Sequence, residues 1–338
     1  MLPIGIIANP ASGKDIRRLV AFGSVVPNSE KVNMVRRILL GLDSMGVKDV
    51  YLMPENAGIG RLALDRLKVS LSASFLDIPL ENSQDDSTRA ARLMTELGVA
   101  CIITLGGDGT NRVVAKGCSQ TPLLSVATGT NNAFCYMVEG TLAGIAAGVV
   151  ASNHFPAEQL TRKSPKLEIL NGSEVLDIAL VDVVVSSSEF TASRAVWDVS
   201  TLREVFLTQS EPGNIGFSSL GGYICRLPED TGQGMYIVIG EGRQKVRAPI
   251  APGLVRWVPI KTHRIIEPGE IIALKTRHGV IALDGEREIS VGDEDRLSVR
   301  LSREGPRVLN LTETLRYASE ECVFITEQDL ARQDPLDR

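Results

Sequence analysis

Aromatic residues make up only 4% of the 338 positions of this chain, and histidine is rarer still, with three. His154, His263 and His278 are isolated from one another, so neither a histidine-ligated metal site nor a Ser-His-Asp triad is easily built, and zinc and hydrolase chemistry are set aside. The five cysteines (Cys101, Cys118, Cys135, Cys225, Cys322) are odd in number, lie far apart, and form neither a CxxC pair nor a Cys/His metal spacing. Reduced thiols in a cytoplasmic protein are the expectation. Basic clusters are missing too: the formal net charge is -5 and the Lys and Arg residues are scattered, which argues against a nucleic-acid partner. No apolar run suits a membrane span, since Ala143 to Ala151 is about half of the ~20 residues required. The segment from Met1 to Pro10 has no cationic leader and its apolar stretch stops short of a signal-peptide core, so it reads as the first strand of a soluble protein with no membrane partner.

What is present is an ordinary globular composition, 43% hydrophobic and 23% charged, in a chain long enough for two cores. The first half alternates β-branched runs with helical patterns. Ile4 to Ala8 and Val50 to Met53 read as strands; Ser29 to Leu39 has apolar residues at helical spacing and stops near Gly41 to Gly46. Asp85 or Asp86 is positioned to cap a helix through Leu97, ended by Gly98, and Ala100 to Leu105 is a buried strand. Repeated βα units imply a parallel sheet. Glu139 to Ala151 reads as a connecting helix. Beyond about residue 160 strands dominate: Lys166 to Leu170, an Asn171-Gly172 hairpin turn, Val175 to Val185, Met235 to Ile239, Ile271 to Thr276, Val280 to Leu283 and Leu297 to Leu301. A short strand near Val308 precedes a polar tail from Gln328 to Arg338, predicted to be frayed.

The chemistry concentrates in Gly106-Gly107-Asp108-Gly109-Thr110, which follows the buried strand and precedes a helix predicted from about Asn111. Backbone amides and a helix N-terminus then point at the carboxyl end of the sheet, where phosphates bind. Glycines there permit positive φ and remove Cβ atoms from the path of a polyphosphate. An anion facing a phosphate site is repulsive unless it engages Mg²⁺ or takes a proton from an attacking hydroxyl, which makes Asp108 the candidate catalytic base. The plain alternative is a tight turn whose Asp caps the next helix.

The GGDG turn resembles that of NAD kinases, shared with diacylglycerol, sphingosine and 6-phosphofructokinases, and the likeness extends along the chain. Ala179 to Val185 resembles the Ala-Leu-Asn-Glu-Val segment, with Asp182 matching its acid; Glu211 to Gly222 resembles in part the Thr-Pro-Thr-Gly-Ser-Thr-Ala-Tyr loop. Ala248 to Pro259 and Leu283-Asp284-Gly285-Glu286 match two further elements, and Asn9-Pro10-Ala11-Ser12-Gly13 is similar to the Asn-Pro-x-Ser-Gly of the lipid kinases. The combination is most like the acetoin-catabolism X branch of ATP-NAD kinases.

That resemblance implies an NAD-kinase-like α/β fold: a Rossmann-like domain over residues 1–127, a β-rich, β-sandwich substrate domain over 128–300, and a segment over 301–338 returning to the first. It implies ATP or another nucleoside triphosphate with Mg²⁺, held at Asn9, Ser12, Gly13, Gly106, Gly107, Gly109, Thr110, Gly129, Thr130 and Asn131, with no metal ligated directly by the protein. NAD(H) is the implied acceptor, phosphorylated at its adenosine 2′-hydroxyl, with Asp182, Gly213, Asn214, Phe217 and Asp284 as acceptor-binding residues. A homo-oligomer, dimer or tetramer, handling small-molecule nucleotides is implied as well. Val181, Asn214, Ile215 and Gly253 stand where NAD kinases carry Asn, Ser, Thr and often His. A lipid or small-polyol acceptor, or a nucleotide-binding accessory protein of acetoin catabolism without turnover, are therefore the alternatives. Lys14 and Arg112 flank the phosphate turns but read as solvent-facing, and Arg256 and Trp257 are candidates for the cleft or for surface and core.

Overall fold

The protein, seen as a computed structural model, is described over residues 1–13, 22–23, 25–129, 132–187, 198–292 and 295–325. Lys14, Thr130, Asn131 and the tail from Gln328 lie outside the described residues.

Strand β1 (Ile4–Ala8) is buried along its whole length, as the centre of a parallel sheet requires. It pairs in parallel with β2 (Asp49–Leu52) on one side and with β4 (Cys101–Gly106) on the other, while β3 (Ser72–Phe75) and β5 (Leu123–Ala127) extend the sheet. In the order β3-β2-β1-β4-β5 the winding reverses between β1 and β4. The crevice beyond the carboxyl ends of two such strands is where open α/β sheets bind ligands.

Among the described residues five helices accompany these strands: α1 (Asn28–Ser44), α2 (Ile59–Leu64), α3 (Asp85–Glu96), α4 (Asp108–Ala115) and α5 (Gly140–Ala151). Ile38, Leu39 and Leu42 of α1 and Ala143 and Ala147 of α5 join Ile4, Ile6 and Ile103 in one core; Ala90, Ala91 and Met94 of α3 and Val114 of α4 meet Ile7 and Ile102 on the other face. Helix α1 runs through Gly41 and ends at Ser44, inside the Gly41 to Gly46 window read from the sequence, with Gly46 at φ +81° just beyond. A Cβ on Gly41 would stand 2.4 Å from the Thr141 carbonyl oxygen, and one on Gly144 2.2 Å from that of Ile38, so these glycines let two backbones touch. Gly98, at φ +71°, does close α3, but Asp86 accepts from the Glu81 amide at 3.0 Å instead of capping the helix.

After α6 (Ala157–Leu160) and β6 (Thr161–Lys163) the chain is largely antiparallel strand. One sheet contains β7 (Lys166–Asn171), β8 (Glu174–Ala179), β13 (Ile271–Ala273) and β16 (Leu297–Ser302) in the order β13-β16-β7-β8. The other contains β9 (Asp182–Ser186), β10 (Leu202–Leu207), β11 (Gly234–Ala251), β12 (Leu254–Ile266), β14 (Gly279–Leu283) and β15 (Glu286–Val291) in the order β12-β11-β10-β9-β14-β15. Leu167, Ile169, Val299 and Leu301 of the first sheet pack on Val183, Val185, Phe206 and Ile281 of the second, and α7 (Phe217–Ile224) covers the second sheet's outer face. Val175 to Val185, read as one strand, is two: the chain leaves one sheet at Ala179 and enters the other at Asp182. Strand β17 (Arg307–Leu309) then returns to the first sheet, parallel to β5 and antiparallel to β6, and α8 (Leu311–Glu320) seals Ala318 into the first core.

Candidate active site

Three loops meet at the carboxyl ends of β1, β4 and β5. The first, Asn9 to Gly13, is tied on all sides: Asn9 Nδ2 donates to Thr110 Oγ1 at 2.8 Å, Ser12 and Thr128 share a hydroxyl hydrogen bond of 2.8 Å, and the Ala11 amide donates to Asn9 Oδ1 at 2.8 Å. From below, the ammonium of Lys31, fully buried on α1, donates to the carbonyls of Asn9 (2.8 Å) and Ser12 (3.0 Å). Sequence reasoning passed over Lys31, because a lysine in an amphipathic helix ordinarily faces water.

The second loop is shorter than expected. Helix α4 begins at Asp108, within the glycine motif, with Gly107 at its N-cap in an extended conformation (φ -102°, ψ -171°). None of Gly106, Gly107 and Gly109 has positive φ, so they serve space, not conformational freedom. A Cβ on Gly106 would fall 2.4 Å from Thr110 Cβ, and one on Gly129 would fall 2.7 Å from Gly107 Cα and 2.6 Å from Asn132 Oδ1. Asn111 fixes α4 in register: its Oδ1 accepts from Thr104 Oγ1 (2.6 Å) and Ser125 Oγ (2.7 Å), and its Nδ2 donates to the Gly107 carbonyl at 3.0 Å.

Asp108 turns away from its own helix and binds the third loop. Its Oδ2 accepts from the Ala133 amide at 2.8 Å; its Oδ1 accepts from the amides of Phe134 (3.1 Å) and Cys135 (3.3 Å) and from Cys135 Sγ at 3.3 Å. Burial pushes this carboxyl above the usual range, against the pull of those amides, and burial next to the Asp108 charge pushes the Cys135 thiol well above its own. A second carboxylate repeats the arrangement. Asp284, at φ +51° in a two-residue turn with Gly285 (φ +82°), accepts from the amides of Leu180 (2.9 Å), Val181 (2.7 Å) and Asp182 (3.2 Å), the residues where the chain crosses between sheets. Burial raises its carboxyl to about 7, opposed by the Leu180 amide and the nearby Arg112.

A cleft of about 740 Å³ opens above these groups. Asn9, Ser12, Gly13, Gly107, Asp108, Gly109, Thr110, Gly129 and Asp284 line it, together with Glu55, Gln84, Arg112, Lys116, Asp177 and Glu286, which were not singled out from sequence as site residues. Arg112 is buried, not solvent-facing, and donates to Asp177 (3.1 Å) and Gln84 (3.1 Å); Lys116 pairs with Asp177 at 2.7 Å, so α4 is clasped to β8. Glu286 of β15 lies against α4, its Oε1 3.4 Å from where a Cβ on Gly109 would stand. Gly106 lies beneath the cleft. Asp182 is buried behind Asp284, Gly213 is exposed, Asn214 donates to Ser218 Oγ at 3.0 Å, Phe217 packs into the sheet core, and none of these four lines the cleft. Trp257, 59% exposed, and Arg256 lie on β12 outside it.

Residues 4–154 match the ATP-NAD kinase N-terminal domain, and residues 165–304 match the acetoin catabolism protein X C-terminal domain. Over 330 residues, 93% of this chain and 92% of the relative, the sequence is 38% identical to acetoin catabolism protein X of Cupriavidus necator. The chain belongs to the acetoin catabolism protein X family. In this protein X family member the NAD-kinase-like half supplies the three loops, and the family-specific half supplies Asp177, Asp284 and Glu286. The fold is similar to that of a putative diacylglycerol kinase from Bacillus anthracis str. Sterne, with a TM-score of 0.52 and 14% identity over 91% of this chain and 97% of that one. The protein X member thus has a kinase fold. Among the described residues no helix is long and apolar enough to cross a membrane.

Proposed function

We propose that this chain is a phosphotransferase of NAD-kinase type, moving a phosphoryl group from a magnesium-bound nucleoside triphosphate, ATP first, to an alcohol, with the adenosine 2′-hydroxyl of NAD(H) as acceptor. The observation that carries the reading is the glycine contact: Gly107 and Gly129 approach so closely that neither backbone is screened by a side chain, beside the N-terminus of α4 and at the switch point of the sheet. Unshielded amides at that point suit a polyphosphate.

The charge balance of the cleft supports a metal-bound donor. Asp108, Asp177, Asp284 and Glu286 line it, and among the described residues its two cations, Arg112 and Lys116, are both paired with Asp177. A bare triphosphate would be repelled. Among the described residues no three His, Cys, Asp or Glu converge as a ligand set, so the cation would be held chiefly by phosphate oxygens and water. Magnesium would supply neutralisation of charge on the transferring group. The chain's own residues would hold the donor in line and move the proton: Asp108 Oδ2 accepts one amide where Oδ1 accepts three donors, so Oδ2 has capacity for the acceptor hydroxyl, and burial makes it a better base. The protein would act as a cytoplasmic homo-oligomer, dimer or tetramer, checked by light scattering.

A second reading, a different hydroxyl acceptor such as a lipid or small polyol, is favoured by the distance of Asp182, Gly213, Asn214 and Phe217 from the cleft lining. A nucleotide-binding accessory protein of acetoin catabolism is favoured by the loop-holding use of Asp108. Purified protein with ATP and Mg²⁺, offered NAD, NADH and a panel of alcohols with products read by mass, separates them. Phosphorylated NAD(H) supports the first reading, another product the second, and ATP binding without any product the third.

A further inference from the structure

The cleft continues past the phosphate loops to the segments that follow β2 and β3. Glu55, three residues beyond the end of β2, lines that end and has no part in the phosphoryl transfer proposed above. Its Oε1 accepts one long hydrogen bond, 3.3 Å, from the Gly60 amide, and its Oε2 is enclosed with no hydrogen-bond partner among the described residues. An ionised carboxylate can accept about four hydrogen bonds, and a shielded oxygen without a donor is costly. A phosphate cannot supply the missing donors, because it offers acceptors and the same charge. A neutral group with two hydroxyls can.

Topology says which part of a nucleotide comes near. Strand β1 lies between β2 and β4, and neighbouring strands are about 4.8 Å apart, so the end of β2 stands roughly 10 Å from the end of β4. From phosphates held at Gly107 and Gly129 the cleft extends toward the loops after β2 and β3, which gives the nucleoside room to run there. In open α/β sheets an acid beyond the second strand commonly meets a ribose.

We propose that Glu55 binds the 2′- and 3′-hydroxyls of the donor nucleotide's ribose, one on each carboxylate oxygen, and selects ribonucleotides over deoxynucleotides. The assignment rests on the phosphotransferase reading. The single long hydrogen bond to Gly60 does little to resist the side-chain rotation that would bring both oxygens to a ribose.

Calorimetric titration of the magnesium complexes of ATP, 2′-deoxyATP and 3′-deoxyATP into wild type, Glu55→Ala and Glu55→Gln tests this without turnover. Wild type is expected to bind ATP about tenfold or more tighter than either deoxy form. Glu55→Ala should erase that preference, weakening ATP by both hydroxyl contacts and each deoxy form by the one it keeps, so that ATP falls about tenfold further than either. Glu55→Gln, whose amide can accept from one hydroxyl and donate to the other, should keep part of the preference for ATP. Equal binding of all three nucleotides by wild type overturns the assignment, as does undiminished discrimination against both analogues by Glu55→Ala. Failure of folded wild type to bind ATP at all would instead remove the phosphotransferase reading, and the assignment with it.

Discussion

Replacing Asp108 by Asn tests the loop clamp and the catalytic role in one protein. Asn keeps one acceptor atom and turns the other into an NH₂ donor. Whichever way the amide points, a donor faces a donor: at Oδ2 it meets the Ala133 amide, and at Oδ1 it meets those of Phe134 and Cys135. The lost hydrogen bond to a charged acceptor is worth about 1.5 to 3 kcal/mol, and the amide left unsatisfied costs about 1 to 3 more. Against this stands relief of burying a charge, whose sign is plain in the raised Asp108 carboxyl. The net expectation is a loss of roughly 2 kcal/mol of stability, since relief of desolvation offsets only part of the two hydrogen-bond losses. Urea unfolding gives the magnitude, and hydrogen exchange at the Phe134 and Cys135 amides gives the location. Turnover, where present, should fall by about 10²-fold or more, further than ATP affinity does. An unchanged unfolding midpoint together with unchanged exchange at those two amides would refute the clamp, and full turnover would remove Asp108 as the base.

The two loop glycines should differ in their response to alanine. Gly129→Ala drives a Cβ to 2.7 Å from Gly107 Cα, whereas Gly107→Ala meets Gly129 Cα at 3.3 Å with an ordinary φ, so calorimetry should find ATP binding hurt more by the first; the reverse order would mean the cradle lies elsewhere. Val181 packs among Ala133, Phe134 and Leu180, so Val181→Asn should cost about 1 to 3 kcal/mol by burying an amide and leave NAD affinity unimproved; tighter NAD binding would return that side chain to the acceptor site. Asp284 gives a pH signature. Its folded value of about 7 lies above the 3.8 of the free side chain, so its stabilising contribution is complete below about pH 4 and is lost as pH rises through about 7. Subtracting the unfolding free energy of Asp284→Asn from that of wild type should give a difference that falls across that window by up to about 1.4 kcal/mol per pH unit, and a flat difference would show that Asp284 is not buried in the native state.

Much of the frame was legible in the residues. The β-branched runs at Ile4 and Cys101, the Gly98 stop and the Asp284-Gly285 turn each carry a local signal, and each stands where that signal puts it. Other features depend on partners far along the chain. The break at Leu180-Val181 is invisible in a continuous apolar run, because the carboxylate that takes those amides comes from residue 284. Lys31 looks like any surface lysine until the carbonyls of Asn9 and Ser12 are set over it. The glycine turn stands between strand and helix as its residues indicate, but without the positive φ that glycines suggest: they answer a crowding that arises only when Gly107, Thr110 and Gly129 are brought together. Helix α8 has a local start signal in Asn310, whose side chain accepts from the Glu313 amide at 3.2 Å, and that signal went unused.

The two buried carboxylates divide the cleft into parts that can vary and parts that cannot. Each fastens three consecutive amides, so exchanging either acid would reshape a loop before it altered a ligand's surroundings. Divergence toward a new acceptor is therefore channelled to side chains with no such duty to the backbone. Glu286 on β15, from the family-specific half and beside Gly109, is a position at which one inherited phosphate site can be refitted to another alcohol, whereas Asp177 on β8 is committed to the buried Arg112 and to Lys116.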